Sequence, residues 1–189
     1  MLGLAGCAVQ TYYAPENPTP ENVQPQVELE RAINVGYDQA WGNLEQFVQN
    51  RYQVLQANKA NGVLRLTVQS SQPEMFINCG MVQVNQGFFN TDTEFLAEVM
   101  KRMPVNLGVN MTVKLQRLHA SKTRISVNGN YALTLGYGNN LSTGVASGSS
   151  IFKFNSKTSS DVYVPGQNFS GVCQSTGQAE SALINAAGQ

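Results

Sequence analysis

The most reactive side chains in this sequence are three thiols and one imidazole: Cys7, Cys79, Cys173 and His119. A catalytic thiol or hydroxyl needs a base within hydrogen-bond reach, and that base is most often a histidine. His119 lies between Leu118 and Ala120 with no acid or cysteine at short spacing, so it reads as a solvent-facing residue near a strand end. Ser70-Ser71, Ser147, Ser149 and Ser150 occupy turn-like, glycine-containing stretches, and no G-x-S-x-G elbow accompanies them. Gly136-Tyr137-Gly138 lacks the third glycine of a dinucleotide fingerprint. Asp92, Glu94 and Glu98 flank the start of a short helix, where they can cap it and complement its dipole; the spacing of a calcium loop is missing. Lys101 and Arg102 suit the other end of the same helix. Two distant cysteines and one histidine supply no C-x-x-C pair for zinc. The residues therefore offer no catalytic constellation, no metal site and no cofactor fingerprint, and a non-enzymatic role is expected.

Cys7 has a different chemistry. Leu4-Ala5-Gly6-Cys7 resembles the lipobox of bacterial lipoproteins: an aliphatic residue, two small residues, then the cysteine. Small side chains let an extended backbone enter a membrane peptidase, and the Cys7 thiol is the one strong nucleophile nearby to carry acyl chains of the palmitate class. The resemblance implies that residues 1–6 are the remnant of a signal peptide and that Cys7 is lipidated, with each buried CH₂ contributing about 0.8 kcal/mol to anchoring. Ala8 stands where an Asp would favour inner-membrane retention in this family, so the resemblance implies the outer membrane, facing the periplasm. Residues 7–25 then form a tether: Pro15, Pro18, Pro20 and Pro25 alternate with polar residues and can reach roughly 3 Å per residue. With Cys7 set aside, Cys79 and Cys173 remain as an even pair in an oxidising compartment. They pair as a disulfide or pack as two separate buried thiols; the bridge is the economical reading.

Composition narrows the partners. The 189 residues include 12 Lys+Arg and 12 Asp+Glu, and charged residues make up only 13% of the chain against the roughly 25% usual in soluble domains. A net charge of zero argues against nucleic acid and against polybasic adsorption to lipid. The sequence holds 19 Asn and 17 Gln, so amides replace ions in keeping the surface wet.

Residues 26–189 read as a single domain. Val27, Leu29, Ile33 and Val35 alternate with Glu28, Glu30 and Asn34, as in a half-buried strand. Asp38 as N-cap opens an amphipathic helix of about 38–50 carrying Ala40, Trp41, Leu44, Phe47 and Val48. Two strands follow around Asn61-Gly62, a strong tight-turn signal. Met75 to Val84 reads as strand, and residues 85–107 as irregular apart from a helix ending before Pro104. Strands containing Met111–Leu115 and Ile125–Leu135 come next, with a bulge or bend expected at Gly129. A Gly/Ser/Asn-rich loop at 136–150 precedes Ile151, Phe152 and Phe154, which resume a strand, and Val162-Tyr163-Val164 end it or form another. Ser175 caps a final helix of roughly 176–187, with Gln178 completing a capping box.

The order strand, helix, hairpin, antiparallel strands, helix resembles the helix-grip type of α+β domain, in which a curved antiparallel sheet is packed by a helix from the N-terminal half and a C-terminal helix. Ala40-Trp41, Tyr52-Gln53-Val54 and Ala60-Asn61-Gly62-Val63-Leu64 are similar to the BamC-like lipoproteins of the outer-membrane β-barrel assembly machinery. That resemblance implies a binding or accessory module for an envelope assembly or secretion complex, with an envelope protein as partner. A periplasmic module for a small ligand or glycan is the competing expectation, because a helix gripping a curved sheet can enclose a pocket. Met75, Phe76, Met81, Phe88, Phe89, Phe95, Met100 and Met103 crowd into the least regular stretch, where they serve either as an adaptable partner-binding surface or as a plug for one end of the core.

Overall fold

Alternating side chains build the centre of the fold. The computed structural model describes residues 29–86, 89–137, 148–164, 167 and 169–189. Strands β1 (Glu30–Ile33), β2 (Gln53–Asn58), β3 (Val63–Ser70), β7 (Val105–His119), β8 (Lys122–Tyr137) and β9 (Gly148–Asn155) form a six-stranded antiparallel sheet. Its order is β1-β8-β7-β3-β2, with β9 pairing the second half of β8 along the edge that β1 takes in the first half. On β7 the residues Leu107, Val109, Met111, Val113 and Leu115 are buried; on β8 the buried set is Ile125, Val127, Tyr131, Leu133 and Leu135. Their neighbours in sequence, such as Asn110, Lys114, Asn128 and Asn130, point to solvent, so one face is apolar and the other wet.

Helices α1 (Tyr37–Val48) and α3 (Gln178–Ala187) lie against each other and cover the apolar face. Ala40, Trp41, Leu44 and Val48 from α1 and Leu183, Ile184 and Ala187 from α3 join the sheet's inner residues in one core. At roughly 2 kcal/mol per fully buried large apolar side chain, this helix-on-sheet layer is the main source of stability. A smaller sheet, β10 (Ser159–Tyr163), β11 (Ser170–Ser175) and β4 (Ile77–Asn78), and a hairpin of β5 (Met81–Gln86) with β6 (Phe89–Glu94) complete the domain with the short helix α2 (Phe95–Arg102). The α+β class and the two-helix cover agree with expectation. Among the described residues no helix is long and apolar enough to cross a membrane.

Several local expectations change. The first strand narrows to Glu30–Ile33, and Val27 lies outside the described residues. Gly36, not Asp38, is the N-cap of α1; the Asp38 carboxylate instead pairs with Lys59 at 2.8 Å and Arg117 at 3.3 Å. Met75 to Val84 is not one strand. A 3₁₀ turn at Pro73–Met75 precedes β4, and Gly80, with φ 75°, redirects the chain into β5. Most of β5 falls in the stretch read as strand, whereas β6 falls in the stretch expected to be irregular, where its polar alternation hid it. Gly129 is not a bulge: it pairs in register with Met111, while register shifts fall at Val54/Gln56 and at Arg117/His119. The last helix starts at Gln178 behind Gly177, and β11 just before it was not foreseen. The expected Asn61-Gly62 turn joins β2 to β3; Gly62 takes φ 63°, and an added Cβ there would lie 2.1 Å from the Leu115 carbonyl oxygen.

Candidate functional site

Cys79 and Cys173 form a disulfide. Ile77 pairs with Ser175 and Asn78 with Gln174. One register step further, the antiparallel β4–β11 pairing sets the two cysteines opposite each other. Both are buried. The bridge pins the segment of residues 73–103 to β11, and Thr176 reinforces the junction by donating from its backbone N to the Phe76 carbonyl at 2.9 Å. Cys7, the expected lipidation site, lies outside the described residues.

This pinned segment holds the Met/Phe group, and the fold divides it. Phe95 is fully buried, its ring edge-on to Phe169 at 5.9 Å, so it anchors the segment instead of furnishing a surface. Phe76 and Met103 pack partly buried against the core. Met75, Met81 and Met100 are exposed at 56%, 62% and 38% of their surface. Phe88 lies outside the described residues, as does the side chain of Phe89. The segment is thus divided: Phe95 plugs the core, and Met75, Met81 and Met100 lie on the outside.

Its ionic chemistry is structural. Glu98 on α2 is only 5% exposed and pairs with Lys101 at 3.3 Å and with the Arg102 guanidinium. The Arg102 hydrogen bond is the main cause that holds the Glu98 carboxyl below its ordinary value, assisted by Lys101. Arg102 also lies over the Phe169 ring and donates to Gln167. Asp92 lies on β6 and Glu94 is the N-cap of α2 without a side-chain cap bond. His119 is exposed at the end of β7, opposite Lys122.

A second cluster was missed from sequence. Glu180, in the first turn of α3, is fully buried. Its Oε1 accepts hydrogen bonds from the Tyr131 hydroxyl at 2.6 Å and from Ser156 Oγ at 2.6 Å. Tyr131 commits its one proton to Glu180, so Ser175 donates to the Tyr131 oxygen at 2.9 Å and itself accepts from the Gly177 N–H at 3.0 Å. Ser156 accepts from the Gly129 N–H at 2.6 Å. A Cβ on Gly129 would meet Glu180 Oε1 at 2.9 Å and Ser156 Oγ at 3.1 Å, which is why glycine occupies this position. Burial, followed by the nearby Glu180 charge, raises the Tyr131 hydroxyl well above its ordinary value, and the same two causes raise Tyr52. The carboxylate sits near the positive end of the α3 dipole. This network joins α3 to β8, β11 and the β9–β10 turn. It is sealed from solvent, so its chemistry is positional. A polar residue three places after Gly177 was the available signal, masked by the alanine-rich pattern around it.

Among the described residues, no three His, Cys, Asp or Glu side chains converge where a metal ion would sit. The hydroxyls that meet the Glu180 carboxylate are buried with it, and the disulfide-pinned segment carries exposed methionines. Comparison of the chain with family models, with curated proteins and with solved structures finds no match.

Proposed function

We propose that this chain is an outer-membrane lipoprotein, anchored through Cys7 and facing the periplasm, whose domain is a non-enzymatic binding or accessory module for an envelope assembly or secretion complex. The observation that carries the reading is the exposure of Met75, Met81 and Met100 on a single segment pinned by the Cys79–Cys173 disulfide. Methionine is flexible and polarisable, so it adapts to a partner surface, while the disulfide keeps the supporting backbone in place. An oxidising compartment suits that bridge, and the Leu4-Ala5-Gly6-Cys7 lipobox supplies the anchor. The similarity of the Trp41-bearing helix and the Asn61-Gly62 hairpin to BamC-like lipoproteins points the same way.

The test places a photo-crosslinking residue at Met75, Met81 or Met100, with Asn130 on the solvent face of the sheet as control. The expected outcome in intact envelopes is an adduct of discrete mass at the methionine positions and none at Asn130. Absence of an adduct at all three methionine positions overturns the partner reading. Intact mass of the native product tests the anchor separately: acyl mass on Cys7 is expected, and a free Cys7 thiol overturns it.

A further inference from the structure

The formal neutrality of the chain conceals a segregation of charge. Residues 99–160 contain no Asp or Glu, yet they hold eight of the 12 cations. The fold gathers part of this excess at one end of the large sheet. Arg65 pairs with Thr112, Lys114 pairs with Ser126, and Arg124 pairs with Gln116. The three cations therefore form a slanting row across β3, β7 and β8, each roughly 7–8 Å from the next as diagonal neighbours. They lie on the solvent face, opposite the helices, and all three are exposed. Lys122 extends the row to the β7–β8 turn, beside the β2–β3 turn, where the Leu115 N–H donates to the Gly62 carbonyl at 2.8 Å.

Among the described residues, the carboxylates at this end are few. Asp38 is held by Lys59 and Arg117 on the helix side, and Glu30 pairs with Arg124 at 3.3 Å. Glu45 lies farther along α1 and acts on Lys59. Arg65, Lys114 and Lys122 make no ion pair among the described residues. The neighbours of the row on its face, Thr112, Ser126 and Asn128, offer hydrogen bonds but no ring on which a base could stack. β7 begins at Val105, roughly 30 Å from Lys114 at about 3.3 Å per residue, where the chain arrives from the segment that carries Glu74, Asp92 and Glu94.

We propose that this basic end, Arg65, Lys114 and Arg124 with Lys122 at the turn, docks on the phosphate-bearing headgroups of an anionic lipid surface. A plane of phosphates matches cations spread over three strands of an open sheet face. Docked in this way, the solvent face of the sheet turns toward the bilayer, and helices α1 and α3 on its other face turn away from the lipid. The docking does not rest on the reading of Cys7 as the anchor.

The experiment uses the full chain carrying Cys7→Ser, so that acylation plays no part, and measures co-sedimentation with vesicles. One set mixes phosphatidylcholine with phosphatidylglycerol, and the other is phosphatidylcholine alone. Binding to the anionic set is expected, with little on the neutral set and loss in high salt as screening shortens the Debye length. Neutralising one cation, as in Lys114→Gln, is expected to weaken partition roughly fivefold; the triple variant R65Q/K114Q/K122Q weakens it roughly a hundredfold, with an unchanged circular dichroism spectrum and melting midpoint. The control K101Q/K157Q, which removes two cations outside the row, leaves partition unchanged. Equal binding to both vesicle sets, no binding to the anionic set at low salt, or capture by duplex DNA without capture by vesicles overturns the proposal. An unacylated native protein whose Cys7→Ser form still binds anionic vesicles overturns the anchor and leaves the docking standing.

Discussion

At the scale of single residues, Glu180 decides how the C-terminal helix sits. Its Oε1 is shared by Tyr131 and Ser156, so Glu180→Ala strands buried hydroxyl donors and opens a void. A loss on the order of 3 kcal/mol is expected from those two effects, measured by urea unfolding. Gly129→Ala pushes a methyl group to 2.9 Å from the same oxygen and is expected to cost about 2 kcal/mol without removing any donor. A neutral outcome for both substitutions contradicts the sealed network. Tyr131 adds a dependence on pH. Its folded-state pKa is raised above 10.0, chiefly by burial, so the folded state holds this proton more tightly than the unfolded chain. The stability it contributes is complete below pH 10 and is lost as pH rises beyond that value toward the folded pKa. Melting midpoints of the native protein should therefore fall more steeply above pH 10 than those of Tyr131→Phe, and parallel alkaline limbs exclude the assignment.

Among the elements, the disulfide does what the weak secondary structure of its segment cannot. Strand β4 has two residues and α2 has eight, so neither is stable alone. A crosslink over a sequence separation of 94 restricts the unfolded chain by roughly 4–5 kcal/mol on the loop-entropy model. The double variant Cys79→Ala/Cys173→Ala should lower the denaturant midpoint accordingly, and protease cleavage should begin within residues 73–103. A midpoint equal to that of the native protein overturns this role. The elements with strong local signals were legible in sequence: the 3.6-residue stripe of α1, the period-two runs of β7 and β8 and the Asn61-Gly62 turn each report a local preference. Strand β6 and its pairing with β5 were not legible. The hairpin's Asn, Gln and Thr residues resemble a loop, and only pairing Met81 with Glu94 and Val84 with Thr91 makes them strands.

The whole molecule is one core carrying an uneven surface. Residues from β1 to α3 belong to a single buried cluster, which includes the sole tryptophan, Trp41, at 2% exposure. Loss of the native state is therefore expected as one cooperative transition, with Trp41 fluorescence and far-ultraviolet circular dichroism superimposing along a urea titration. Transitions separated between the two probes contradict the single core. The solvent face of the large sheet stays wet because amides, hydroxyls and a few cations alternate with the core residues, as the low charged fraction requires.

The sequence by itself determined what depends on near neighbours along the chain: the proline-rich stretch near its start, the amphipathic stripe around Trp41 and the alternation of the long strands. Tertiary structure alone decided what depends on residues far apart in number meeting in space. It brought Glu180 to Tyr131 and Ser156, sorted Phe95 inward from Met81 outward, and collected Arg65, Lys114 and Arg124 on one face of a chain whose charges sum to zero. Periodicity reports which face a side chain takes, whereas the fold determines what faces it.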